Sequence, residues 1–157
     1  MNYPITNPDI YTTLFLDRDG VINRKLENDY VKTWSAFEFE TGALDALIKL
    51  RKLFHRICIV TNQQGVAKGL MTELDLKTIH QNLHTTLSAH DAAPDAIYYA
   101  TELQGPDMQF RKPAPGMAYA ALKDFPEINF VVDDPNELGQ TNTDKWVIID
   151  TVKKIWT

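Results

Sequence analysis

The sequence predicts an α/β protein in which a parallel sheet is sandwiched between layers of helix. Short apolar runs near residues 12–17, 56–61, 95–101, 130–132 and 146–149 alternate with helical stretches, which is the pattern of a parallel sheet with crossover helices. The run Ile57-Cys58-Ile59-Val60 has no polar face. A strand without alternation is one covered on both sides, as in the interior of such a sheet.

Taken in order, residues 1–10 are polar and proline-punctuated, reading as a terminus that orders on contact. Leu14-Phe15-Leu16 leads into Asp17-Arg18-Asp19-Gly20, a buried strand ending in a turn. Residues 23–40 lack clean periodicity but carry Tyr30, Val31, Trp34, Phe37 and Phe39; they read either as a flap over the strand end or as a packed loop. From Gly42 a helix places Leu44, Leu47, Ile48 and Leu50 to Leu53 on one stripe. Thr72-Glu73-Leu74-Asp75 resembles a capping box. It opens a helix to about His90 with Leu76, Ile79, Leu83 and Leu87 on one side. Pro115 and Gly116 open a last helix, residues 117–125.

At 157 residues with 44% hydrophobic and 24% charged residues, the chain is read as one soluble domain spanning residues 1–157. The net charge of −5 argues against general attraction to nucleic acid or an anionic membrane. No run reaches the roughly 18 apolar residues of a membrane span. The first eight residues lack the basic and apolar regions of an export signal, so a cytoplasmic location is expected. Cys58, the single cysteine, lies within an apolar run and reads as a small buried residue.

In parallel sheets ligands sit outside the carboxyl ends of the strands, and those ends are chemically rich here. The first delivers Asp17 and Asp19, whose side chains share a face while Arg18 points away. The second ends in Thr61-Asn62-Gln63-Gln64-Gly65 and the fourth in Asp133-Asp134, and Arg111-Lys112-Pro113 precedes the last helix. Each has an ordinary explanation alone: a turn, a loop cap or a solvated lysine. Together they suit phosphoryl transfer. A phosphate monoester is dianionic, so a carboxylate attacks it only where a metal and a cation neutralise charge. Three nearby carboxyls suit Mg²⁺, a hard ion with oxygen ligands. In this reading Asp17 is the nucleophile and Asp19 the proton donor and acceptor. Thr61 and Lys112 hold the phosphoryl oxygens, and Asp133 holds the metal.

These three segments, Phe15 to Asn23, Val60 to Gly69 and Arg111 to Met117, resemble those of the haloacid dehalogenase superfamily of aspartate-nucleophile phosphatases. The branch they resemble holds the heptose bisphosphate and histidinol-phosphate phosphatases. The resemblance covers nearly the whole chain. It implies a three-layer sandwich around a Rossmann-like parallel sheet with a minimal cap. It also implies Asp17 as nucleophile, Asp19 as acid and base whose backbone carbonyl serves Mg²⁺, Thr61 and Lys112 on phosphate, and Asp17, Asp19 and Asp133 about the metal. Asn62 and Arg111 stand close to the substrate by the same comparison. The implied ligand is a small phosphorylated metabolite such as a sugar phosphate or bisphosphate, or histidinol phosphate.

The chain departs from that branch twice. Residues 99–110, where many members carry a zinc loop, contain no Cys or His, so no zinc is expected there. The family's Gly-Asp with a second Asp four residues on is Val132-Asp133 with Glu137 here, and valine restricts close backbone approach. That second departure motivates an alternative, a catalytically weak module that binds a phosphorylated ligand. A polynucleotide 3′-phosphatase is a neighbouring alternative, since that group has a similar Thr-Asn-Gln segment and Arg-Lys-Pro. The acidic composition disfavours it. With no room for a large cap, loops 24–36 and 101–111 supply specificity. His80 and His84, four apart on one helix, lack the acid and third ligand of a metal motif and read as a solvated face.

Overall fold

The computed structural model describes residues 13–128 and 146–149. Four strands, β1 (Thr13–Leu16), β2 (Arg56–Asn62), β3 (Ala96–Ala100) and β4 (Trp146–Ile149), form one parallel sheet in the order β3-β2-β1-β4. The expected run at 130–132 lies outside the described residues. β1 is hydrogen-bonded on both sides, Leu14 opposite Ile57 of β2 and Val147 of β4. Six of the seven residues of β2 are buried, as its unbroken apolarity requires.

Strand alternation sorts the core into two halves. Leu14 and Leu16 of β1 and Ile57 and Ile59 of β2 join an apolar cluster with Leu47 and Leu50 of α1 (Ala43–Leu53) and Leu76, Ile79, Leu83 and Leu87 of α2 (Glu73–Ser88). Phe15, Cys58 and Val60 face the other way. They pack with Met117 and Ala121 of α3 (Gly116–Asp124). Helices therefore cover both faces, giving the three-layer α/β sandwich the sequence predicts.

The local signals have physical counterparts. α2 begins with a complete capping box: Thr72 Oγ1 accepts from Asp75 N at 3.0 Å, and Asp75 Oδ2 accepts from Thr72 N at 2.8 Å, satisfying two donors that helix geometry leaves open. Burial pushes the Cys58 thiol up to about 12, which keeps it protonated and inert. Two expectations need correction. Leu53, placed on the inward stripe, is 48% exposed, because it lies where α1 ends and the chain turns into β2. His80 is buried, not solvated. It lies four residues after Leu76 and three before Leu83, so helical periodicity carries it to the inward face of α2.

Candidate active site

Asp17 and Asp19 leave the central strand β1 at its carboxyl end and line one cavity of about 230 Å³ with Lys25, Tyr30, Asn62 and Arg111. The turn between them is sharply defined. Arg18 O accepts from Ile22 N at 2.8 Å and from Asn23 N at 3.1 Å, and Gly20 N donates to Asn23 O at 2.7 Å. Gly20 sits at φ +81°, a left-handed conformation that a side chain disfavours. Its glycine is thus required by the backbone path that sets the two carboxylates.

The carboxylates have different environments. Asp17 Oδ1 accepts from Arg18 N at 2.7 Å, and Oδ2 lies 3.0 Å from Lys112 Nζ. Burial pushes its carboxyl above the ordinary value and the neighbouring Asp19 adds to that, while the Lys112 ammonium and the Arg18 N–H pull it down. Removing a carboxylate from water disfavours its charged form, and a cation in contact restores it. Asp19 Oδ1 takes donors from Arg18 Nη2 at 2.9 Å, Arg18 Nε at 3.3 Å and Asn23 Nδ2 at 2.9 Å. Its Oδ2 takes one, from Gln63 Nε2 at 2.7 Å. The crowded oxygen is held, and the other keeps a lone pair free for a proton.

β2 contributes Thr61, Asn62 and Gln63. Thr61 is fully buried and its Oγ1 accepts from Gln63 Nε2 at 2.9 Å. Gln63 thereby ties the threonine to Asp19. Asn62 reaches across the site to the backbone of Lys112, accepting from its N at 2.9 Å and donating to its O at 3.2 Å. Those two bonds set the Arg-Lys segment against the end of β2.

That segment has a second support. Glu102 Oε2 accepts from the backbone N–H groups of Gln109, Phe110 and Arg111 at 3.0, 2.9 and 2.9 Å. These bonds hold its carboxyl below the ordinary value. Gly116 closes the loop from the other side, donating to Gln109 O at 2.9 Å. A Cβ there would stand 2.5 Å from that same oxygen, so only glycine permits the approach.

Residues 23–40 fold back over the strand end. Asn23 pairs with Phe39 in an antiparallel bridge, and the Tyr30 hydroxyl accepts from Gln64 Nε2 at 2.9 Å and Lys68 Nζ at 2.8 Å. The flap reading thus fits better than a remote packed loop, since Lys25, Asp29 and Tyr30 line the cavity.

Of the seven residues singled out from sequence, Asp17, Asp19, Asn62 and Arg111 line one cavity, Lys112 touches it through Asp17 and Asn62, and Thr61 joins through Gln63. Asp133 lies outside the described residues. Among the described residues no set of three metal-ligating side chains is assembled. Asp17 and Asp19 do line the same polar cavity, with Asp29 of the flap. Arg18, Asn23, Gln63, Glu102 and Lys25 were not legible as site residues. The turn closed by Gly20 and the amide run after Thr61 were the only local hints.

An aspartate pair just past the end of a central parallel strand, with a lysine from a separate loop against the first of them, is the arrangement the haloacid dehalogenase resemblance implies. The chain belongs to the family described as polynucleotide kinase 3 phosphatase, whose model matches residues 5–138. It is 41% identical over 125 residues to a D-glycero-alpha-D-manno-heptose-1,7-bisphosphate 7-phosphatase of Mycobacterium bovis, covering 77% of this chain and 66% of that one. It is 34% identical over 157 residues to a D-glycero-beta-D-manno-heptose-1,7-bisphosphate 7-phosphatase of Salmonella typhi, covering 90% of this chain and 82% of that one. A D,D-heptose 1,7-bisphosphate phosphatase from B. bronchiseptica, complexed with magnesium and phosphate, superposes with a TM-score of 0.66 at 29% identity, over 73% of this chain and 64% of its own. The chain thus spans about two thirds of the length of the mycobacterial relative and slightly less of the B. bronchiseptica protein. Among the described residues no helix is long and apolar enough to cross a membrane.

Proposed function

We propose that this chain is a cytoplasmic Mg²⁺-dependent phosphomonoester hydrolase acting on a small phosphorylated sugar, of the phosphate or bisphosphate class, through an aspartyl-phosphate at Asp17. One observation carries the reading. Asp17 Oδ2 stands 3.0 Å from Lys112 Nζ, so a carboxylate kept ionisable by a cation faces a polar cavity beside a second carboxylate. The heptose bisphosphate relatives support the sugar class. Histidinol phosphate is the other small substrate with the same reacting group.

Asp17 attacks phosphorus and the ester oxygen leaves with a proton from Asp19 Oδ2. A water then attacks the aspartyl-phosphate, returning its proton to Asp19 and releasing inorganic phosphate and the free carboxylate. Lys112 neutralises equatorial phosphoryl charge. Arg111 and Lys25 line the same cavity and offer further donors to the substrate. Asp17 through a carboxylate oxygen and Asp19 through its backbone carbonyl would hold Mg²⁺, which leaves the Asp19 carboxyl for proton transfer. Asp133 is the third ligand in this reading. A bound Mg²⁺ supplies charge neutralisation at the phosphoryl group.

Hydrolysis of p-nitrophenyl phosphate and of a panel of phosphorylated sugars, with and without Mg²⁺, tests the reading. Wild type turns over with Mg²⁺ and Asp17→Asn does not. Metal-dependent turnover retained by Asp17→Asn overturns the nucleophile assignment, and ligand binding without turnover by wild type favours a binding module instead. The family description supports a second substrate class, a 3′-phosphorylated oligonucleotide. In the same assay preferential turnover of that oligonucleotide replaces the sugar reading.

A further inference from the structure

Behind the site, away from the cavity, Arg18 is completely buried. A guanidinium without water must have every face accounted for. Nε and Nη2 are spent on Asp19 Oδ1. Nη1 lies 3.0 Å from Nε2 of His80, which reaches the arginine from the inward face of α2, 62 residues along the chain. His80 is itself buried, 7% exposed, and its ring lies 5.5 Å from that of Tyr99.

Chemistry fixes the hydrogen in this contact. Arginine carries only donors, so His80 Nε2 presents a lone pair and the ring is neutral with its proton on Nδ1. A protonated imidazole would oppose two donors and place two cations in contact. Burial and the Arg18 charge accordingly push His80 down to about 3, against a smaller opposite pull from Asp19.

We infer that His80 is a positioning residue for Asp19: its Nε2 lone pair anchors the Arg18 guanidinium, which pins Asp19 Oδ1 and leaves Oδ2, bonded only by Gln63, with a lone pair for the proton. Without the anchor, Nη1 is a buried donor with no acceptor, and the guanidinium gains by rotating away from Asp19. The nucleophile's own contacts, Oδ1 with the Arg18 backbone N–H and Oδ2 with Lys112 Nζ, do not involve the guanidinium. The defect therefore falls on proton transfer and not on phosphate binding.

The inference rests on the phosphatase reading for its kinetic consequence, and on the hydrogen bond alone for its structural one, so two measurements separate them. In the first, wild type, His80→Leu and His80→Gln are compared on p-nitrophenyl phosphate with Mg²⁺. His80→Leu lowers kcat by about tenfold or more with KM changed less than about twofold, as loss of one charged hydrogen bond implies. His80→Gln, whose Oε1 can accept from Arg18, recovers most of the loss. Equal impairment of the two variants, or an unchanged kcat in a folded His80→Leu, overturns the inference. In the second, ¹⁵N NMR of the imidazole in the wild-type protein at neutral pH shows a neutral ring with Nδ1 protonated and Nε2 bare. A ring protonated at Nε2 overturns the inference even if the wild type hydrolyses nothing, in which case the phosphatase reading fails separately.

Discussion

Lys112 Nζ and Asp17 Oδ2, 95 residues apart in sequence, meet at 3.0 Å although each side chain is only about three-quarters buried. This contact joins a loop to a strand, and neither element holds the pair alone. Lys112→Met keeps the length of the side chain and removes its charge. In the proposed phosphatase kcat/KM falls by about 10² to 10³, the loss typical of one group that stabilises transition-state charge. Steady-state kinetics on p-nitrophenyl phosphate measures it, and a loss under threefold argues against a role for Lys112 on the phosphoryl group.

Gln63 is 1% exposed and bridges Asp19 and Thr61 through one amide nitrogen. Gln63→Leu leaves the buried Thr61 Oγ1 and the partly exposed Asp19 Oδ2 without that donor, and kcat drops by about tenfold. Gln63→Glu is worse, since it sets a second carboxylate against Asp19 Oδ2 and forces a proton to be shared between them. The order wild type, Leu, Glu in kcat is the expected result.

Glu102 supplies the pH dependence. Its three backbone bonds lower its carboxyl in the folded protein. A carboxyl depressed by folding contributes stability that is present above its unfolded value and lost as pH falls through the folded one. The window therefore lies below the ordinary 4.5. Hydrogen exchange at the amides of Gln109, Phe110 and Arg111 gains an acid-induced loss of protection in that window. Glu102→Gln shows weaker protection at neutral pH and no such transition.

Leu83 is fully buried between α2 and the sheet. Leu83→Ala costs about 3 kcal/mol, the transfer and cavity terms together. Urea unfolding with an unchanged slope measures it.

Much of this fold is readable along the chain because it rests on local rules. The unbroken apolarity of β2 announces burial on both faces, and Thr72 with Asp75 announces the start of α2. The strand-end acids are legible for the same reason: period-two geometry puts Asp17 and Asp19 together. What escapes is whatever depends on a distant partner. Arg18, between two acids, has every local mark of a surface residue, and its burial needs, besides the neighbouring Asp19, an acceptor for Nη1 that His80 brings from 62 residues away. The signal was present in α2, where His80 shares the stripe of Leu76 and Leu83, but the His80–His84 spacing invited a metal-motif comparison instead. Glu102 escapes too, because its partners are backbone groups with no side-chain signature.

The amide of Asn62 grips the backbone of Lys112 as one rung of a ladder grips the next, and Glu102 ties down residues 109–111 just before it. Between these fastenings, residues 103–108 bear no part of the load that fixes the ammonium. They can lengthen, shorten or change their lettering while the chemistry stays put. Reaction and recognition are in this way separately inheritable, and a loop transplanted from a relative with another substrate has a ready-made socket.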